Sequence, residues 1–128
     1  MAKKQALIVE DNQSIGEMYI VTLGMIDIEA EHIADGKLAL QRLEVATPDL
    51  IILDMNLPQV SGHYLYKKIR STPRLNTTPV IISTANTLVA QTLAGDLGEY
   101  DRLLVKPISP SMLQQVIQGL MAKDTGSK

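Results

Sequence analysis

At 128 residues the chain is sized for one domain with a real core, and its net charge of −2 includes no basic block of the kind that grips nucleic acid. Cysteine is absent, which removes disulfides, thiolate nucleophiles and sulfur-bound metals; Phe and Trp are absent too, so the core must be aliphatic and Met-based. The start, Met1-Ala2-Lys3-Lys4-Gln5, leads into an apolar run that Glu10 interrupts, too short for a signal peptide, and no run approaches bilayer-spanning length; a cytoplasmic protein without direct membrane or nucleic-acid contact is expected.

Ala6-Leu7-Ile8-Val9 predicts a first strand that ends in Glu10-Asp11. Ile15, Met18, Tyr19 and Leu23 then share one helix face, with Asn12 or Ser14 available as the cap. Apolar and charged residues alternate from Ile28 to Ile33, as in a half-exposed edge strand, and Asp35-Gly36 breaks it. Ala39, Leu43 and Ala46 support a second helix that Pro48 stops. Leu50-Ile51-Ile52-Leu53 is a strand buried on both faces, and Asp54 follows it directly. A carboxylate there must be paired or metal-bound, so it is expected at the strand's exit, facing a cleft walled by the loop containing Pro58 and Gly62.

Leu65 and Ile69 mark a third helix ending before Pro73. A fourth strand, Pro79 to Thr84, ends in hydroxyls instead of acids. Val89, Leu93 and Leu97 predict a fourth helix, weakened by Gly95 and closed by Gly98. Leu103 to Val105 is a short fifth strand ending in Lys106-Pro107. Leu113, Val116, Ile117 and Leu120 form a last amphipathic helix. The expected division is one domain over residues 1–122 and a polar tail over 123–128.

Alternating strands and helices imply right-handed crossovers and a parallel sheet covered on both faces. The flavodoxin-like (βα)5 three-layer sandwich, strand order 2-1-3-4-5, keeps the edge-like second strand outside and brings Glu10, Asp11, Asp54, Thr84 and Lys106 around one crevice. Three carboxylates there repel, by roughly 3 kcal/mol for a pair about 5 Å apart at an effective dielectric near 20. With oxygen donors only, the ion that suits them is Mg²⁺. An ionised Asp, a metal that neutralises phosphate charge, a Lys and a hydroxyl make a phosphoryl-transfer site with Asp as nucleophile.

From about Lys4 to Met121 the chain resembles the receiver domains of two-component response regulators. The resemblance rests on the acid pair Glu10-Asp11, on Asp54 with Pro58 and Gly62 after it, on Thr84-Ala85, on Lys106-Pro107, and on Ala34-Asp35-Gly36. It implies that Asp54 takes a phosphoryl group from a phosphohistidine on a sensor histidine kinase or phosphotransfer domain. It further implies Mg²⁺ held by Asp11, Asp54 and the backbone carbonyl of Asn56, with Glu10 acting through water. Lys106 would pair with Asp54 and then with the phosphoryl oxygens, and Thr84 would swing inward to bond the phosphate. In this family an aromatic residue usually stands three positions before the Lys; here that position is Leu103, and Tyr100 lies off register, so a muted switch is expected.

The expected role is a stand-alone phosphoacceptor, monomeric or weakly dimeric, that switches contacts with an unknown protein target or shuttles phosphate without turning over an external substrate. A non-phosphorylated scaffold is the alternative; retention of the full acid, Thr and Lys set favours the first. A flavin carrier lacks the Ser/Thr/Gly-rich loop after strand one. His32 and His63 are expected to be incidental, Tyr64 and Tyr66 beside Lys67-Lys68 to form a helix shoulder, and Asn56 and Asn86 to influence water access to an acyl phosphate.

Overall fold

The computed structural model describes residues 3–125. Its elements run β1 (Lys4–Val9), α1 (Gln13–Gly24), β2 (Ile28–Ile33), α2 (Gly36–Val45), β3 (Leu50–Asp54), α3 (Gly62–Ser71), a short 3-10 turn (Pro73–Leu75), β4 (Val80–Thr84), α4 (Thr87–Ala94), β5 (Asp101–Val105) and α5 (Pro110–Thr125). The sheet has five strands in the order β2-β1-β3-β4-β5, every neighbouring pair parallel, as expected.

Strand alternation splits the core into two layers. Leu7, Val9, Ile51, Leu53, Val80 and Ile82 face α2, α3 and α4, meeting Leu43, Leu65 and Leu93. Ala6, Ile8, Leu50, Ile52 and Ile81 face α1 and α5, meeting Tyr19, Leu23, Leu113 and Ile117. The aliphatic runs are therefore continuous because both faces of the inner strands are covered.

Local capping sets where the helices begin. Asn12 Oδ1 accepts from the Ile15 amide at 2.9 Å, so Asn12 is the α1 cap instead of Ser14. Asp35 and Asn86 cap α2 and α4 in the same way. Several boundaries differ from expectation; β1 begins at Lys4 and β5 at Asp101, each two residues before its predicted start. Helix α4 stops at Ala94 with Gly95 as its cap, so Gly95 ends the helix that Gly98 was expected to close, and Leu97 packs on the core from the following turn. Ala46 lies just outside α2 as its cap residue. Helix α5 continues through Thr125, into the segment expected to be polar tail, of which residues 126–128 lie outside the described residues.

Candidate functional site

The register builds the site. Val9 pairs with Leu53 and Asp54 pairs with Ser83. Because Ile8, Ile52 and Ile81 all face α1 and α5, the residues two positions on, Glu10, Asp54 and Ser83, line up on that same face at the carboxyl ends of β1, β3 and β4. Glu10 and Asp54 are 1% and 2% exposed, while Asp11 is exposed. Ligand oxygens of Glu10, Asp11 and Asp54 lie within 4.8 Å of one another.

Lys106, at the end of β5, reaches into this group. Its Nζ is 2.9 Å from Glu10 Oε1 and 3.4 Å from Asp54 Oδ2. The shorter contact lacks hydrogen-bond alignment, since Glu10 Oε1 has no hydrogen-bond partner; it is an ion pair held by distance, and Coulomb attraction has no strict angular demand. The resemblance implies a Lys106 to Asp54 pair, but Glu10 is the nearer partner. Burial pushes the Glu10 carboxyl up, with the Asp54 charge adding to it and Lys106 opposing. Burial also opposes the Lys106 ammonium, yet the Glu10 contact and the charges of Asp54 and Glu10 outweigh it and hold its pKa above the ordinary lysine value.

The loop after β3 is tied to the acid. The Asn56 amide donates to Asp54 Oδ1 at 3.1 Å. Gly62 is required by close approach, because a Cβ there would meet the Asp54 carbonyl oxygen and lie 2.6 Å from Met55 Cα. Thr84 is buried at the end of β4, on the face opposite Asp54 by alternation, and its Oγ1 accepts from the Asn86 amide at 3.0 Å. The structure thus brings Glu10, Asp11, Asp54 and Lys106 together, while the Thr84 hydroxyl is engaged with the loop leading into α4.

Sequence patterning missed two buried hydroxyl-bearing residues near the acids. Ser83 is fully buried beside Asp54, with an Oγ that has no hydrogen-bond partner. Tyr19, counted only as part of an apolar helix face, is buried over the same row, and its phenol is pushed up to about 12 by burial and by the charges of Glu10 and Asp54, against a lowering influence of Ser83. Only strand register could have revealed the Ser83 position. His32 is likewise not incidental: its Nε2 lies 2.6 Å from the Glu10 backbone oxygen. Tyr66 turns inward to donate to Asp101, whereas Tyr64 is exposed, so the expected shoulder divides between core and surface.

Residues 6–118 match the sequence profile of the response regulator receiver domain. The chain belongs to that family. As a receiver domain it is 34% identical over 122 residues to a protein of Cyanophora paradoxa described as a probable transcriptional regulator, ycf27, covering 94% of this chain and 49% of that one. It is 30% identical to the phosphate regulon transcriptional regulatory protein PhoB of Rhizobium meliloti, covering 91% of this chain and 51% of that one. This receiver spans about half the length of the curated relatives it matches. Among solved structures, the chemotaxis response regulator CheY4 of Vibrio cholerae superposes with a TM-score of 0.82 at 31% identity, over 93% of this chain and 99% of that chain. The receiver domain of a sensor histidine kinase from Pseudomonas aeruginosa, solved with a magnesium ion in its active site cleft, gives 0.82 at 28% identity, over 94% and 99% of the two chains. No helix among the described residues is long and apolar enough to cross a membrane.

Proposed function

We propose that this receiver accepts a phosphoryl group on Asp54 from a phosphohistidine of a sensor histidine kinase or phosphotransfer domain, and thereby switches its protein contacts in the cytoplasm. The observation that carries this is the convergence of Glu10, Asp11 and Asp54 within 4.8 Å around a lysine from a different strand. An Asp54 carboxylate oxygen would form the new P–O bond as the P–N bond to the donor imidazole breaks, the electron pair staying on nitrogen. Lys106 stands ready to follow the charge from carboxylate to phosphoryl oxygen.

The donor set fits Mg²⁺: hard oxygens, mixed burial, one exposed acid at the rim and no nitrogen or sulfur ligand among the three. Asp11, Asp54 and the Asn56 backbone carbonyl would hold the ion. Glu10, already paired with Lys106, would act through water. When bound, the ion supplies positive charge that offsets the repulsion between phosphoryl oxygens and carboxylates. The Asn56 amide fixes Asp54 Oδ1, which would help orient the carboxylate toward an incoming phosphoryl group.

The phosphoryl group would remain on the protein until water removes it, so external turnover is not part of the role. The Cyanophora paradoxa and Rhizobium meliloti relatives are described as transcriptional regulators, and that output is theirs; here the proposed readout is a changed protein surface, reached by population shift. Beryllofluoride with Mg²⁺ tests the site directly by fluorine NMR. A bound signal in the unaltered protein that disappears in Asp54→Ala is expected; no bound signal leaves the scaffold role in its place.

A further inference from the structure

From the geometry around β2, and building on the phosphoacceptor reading, we infer that His32 is a positioning residue: seated in a notch at Gly16, it holds the turn that presents Glu10 and Asp11 to the metal. His32 lies in β2, opposite Ile8 of β1. Its Nε2 is 2.6 Å from the backbone oxygen of Glu10. A carbonyl oxygen only accepts, so Nε2 must carry the proton and donate.

The ring reaches that oxygen by lying against α1 where Gly16 has no side chain. A Cβ at Gly16 would fall on the His32 imidazole, meeting Cε1, Nε2 and Nδ1 together. Gly16 is in the first turns of α1, where glycine is otherwise unfavourable by about 1 kcal/mol relative to Ala. The histidine ring accounts for its presence: the two residues are complementary in shape.

The contact matters because of what the turn carries. Glu10 is held at its amide by the Ile33 carbonyl at 3.1 Å and at its carbonyl by His32, so β2 grips both sides of this residue. The Glu10 carboxylate in turn accepts from the Asn12 amide at 3.2 Å, and Asn12 caps α1. The peptide linking Glu10 to Asp11 therefore has its orientation set by a ring outside the acid cluster. Partners behind metal ligands fix ligand orientation, and losing one typically weakens metal binding by tenfold or more.

Four variants of the full chain test this: His32→Phe, His32→Gln, Gly16→Ala and the double change Gly16→Ala with His32→Ala. Hydrogen exchange at the Glu10 and Asn12 amides is measured without metal, Mg²⁺ affinity by titration calorimetry, and the melting temperature of each variant by circular dichroism. His32→Phe keeps a ring in the notch without the donor; it should exchange several-fold faster at both amides and bind Mg²⁺ about tenfold more weakly while remaining folded. His32→Gln restores a donor near the Nε2 position and should recover most of both. Gly16→Ala should lower the melting temperature, and removing the ring in the double variant should relieve that loss without restoring Mg²⁺ affinity. Equal exchange and equal affinity in His32→Phe, or no recovery in His32→Gln, overturns the inference. Unaltered protein that takes up no Mg²⁺ overturns the phosphoacceptor reading instead, and the metal-free exchange then decides the clamp by itself.

Discussion

Lys106 Nζ sits 2.9 Å from Glu10 Oε1, closer than its 3.4 Å approach to Asp54 Oδ2. The lysine is thus anchored by an acid other than the proposed nucleophile. A buried acid whose folded pKa is raised favours the folded state while protonated. Native Glu10 keeps its proton where the unfolded chain has lost it, so its contribution is full below the ordinary value of 4.5 and declines as pH rises through the raised value. Lys106 has the same sense at the other end, losing its contribution only above the ordinary lysine value of 10.5. In EDTA, the melting temperature of the unaltered protein relative to Glu10→Gln should rise as pH falls from neutrality toward the carboxylate range. A difference that stays constant with pH contradicts this assignment.

At the opposite end of the sheet, Asp101 begins β5 with its side chain 1% exposed and takes hydrogen bonds from Tyr66, Arg70 and the Gly98 amide. Arg70 also donates to the carbonyls of Leu75 and Thr78, tying α3 to the segment before β4. Replacing Arg70 by Met would leave a buried carboxylate short of its cation, at a cost of about 3 kcal/mol, the low end for such a loss because Arg70 is 21% exposed. Urea denaturation measures it. A loss below about 1 kcal/mol would mean the pair is screened like a surface one.

Gly62→Ala should destabilise the protein by about 1–3 kcal/mol, the range for forcing an extra methyl into filled space. The obstacle is backbone, the Asp54 carbonyl and Met55 Cα, so no side chain can swing aside. The same change should displace Asp54 and slow its phosphorylation more than Gly24→Ala, where nothing lies within 4 Å of the new Cβ. Equal phosphorylation rates in the two variants would count against the link between this loop and the acid.

Leu103 packs on the core and pairs with Ile82, two residues before the Thr84 position. Tyr100 cannot substitute for an aromatic residue there, since it precedes β5 and is separated from Val105, the partner of Thr84, by about 16 Å of extended chain. A small response is expected on phosphorylation: amide shifts at Leu103 and its neighbours with beryllofluoride should be modest, and Leu103→Tyr should enlarge them. Large shifts in the unaltered protein would show that the switch runs without the aromatic side chain.

Much of this fold is legible in the amino-acid sequence alone. The aliphatic runs Ala6-Leu7-Ile8-Val9 and Leu50-Ile51-Ile52-Leu53 announced inner strands because only residues covered on both faces dispense with alternation. The acids and lysine at strand ends followed from strand order. What patterning could not supply was register and reach. Ser83 becomes the neighbour of Asp54 only when β3 and β4 are aligned, and Tyr19 looks like any apolar position on α1 although the charges of Glu10 and Asp54 act on its phenol. His32 fits the alternation of an edge strand, and nothing in its neighbours reveals that Gly16, on another element, makes room for it. The end of α4 is not fixed by sequence, because Gly95 and Gly98 are equally good stops and packing of Leu97 does not require helix.

Phosphorylation of Asp54 is the claim on which the rest depends, and intact mass spectrometry after incubation with acetyl phosphate and Mg²⁺ tests it most directly. The unaltered protein should gain one phosphoryl group, lost again with time and blocked by EDTA, and Asp54→Asn should gain none. An unchanged mass in the unaltered protein, or an equal gain in Asp54→Asn, would contradict it.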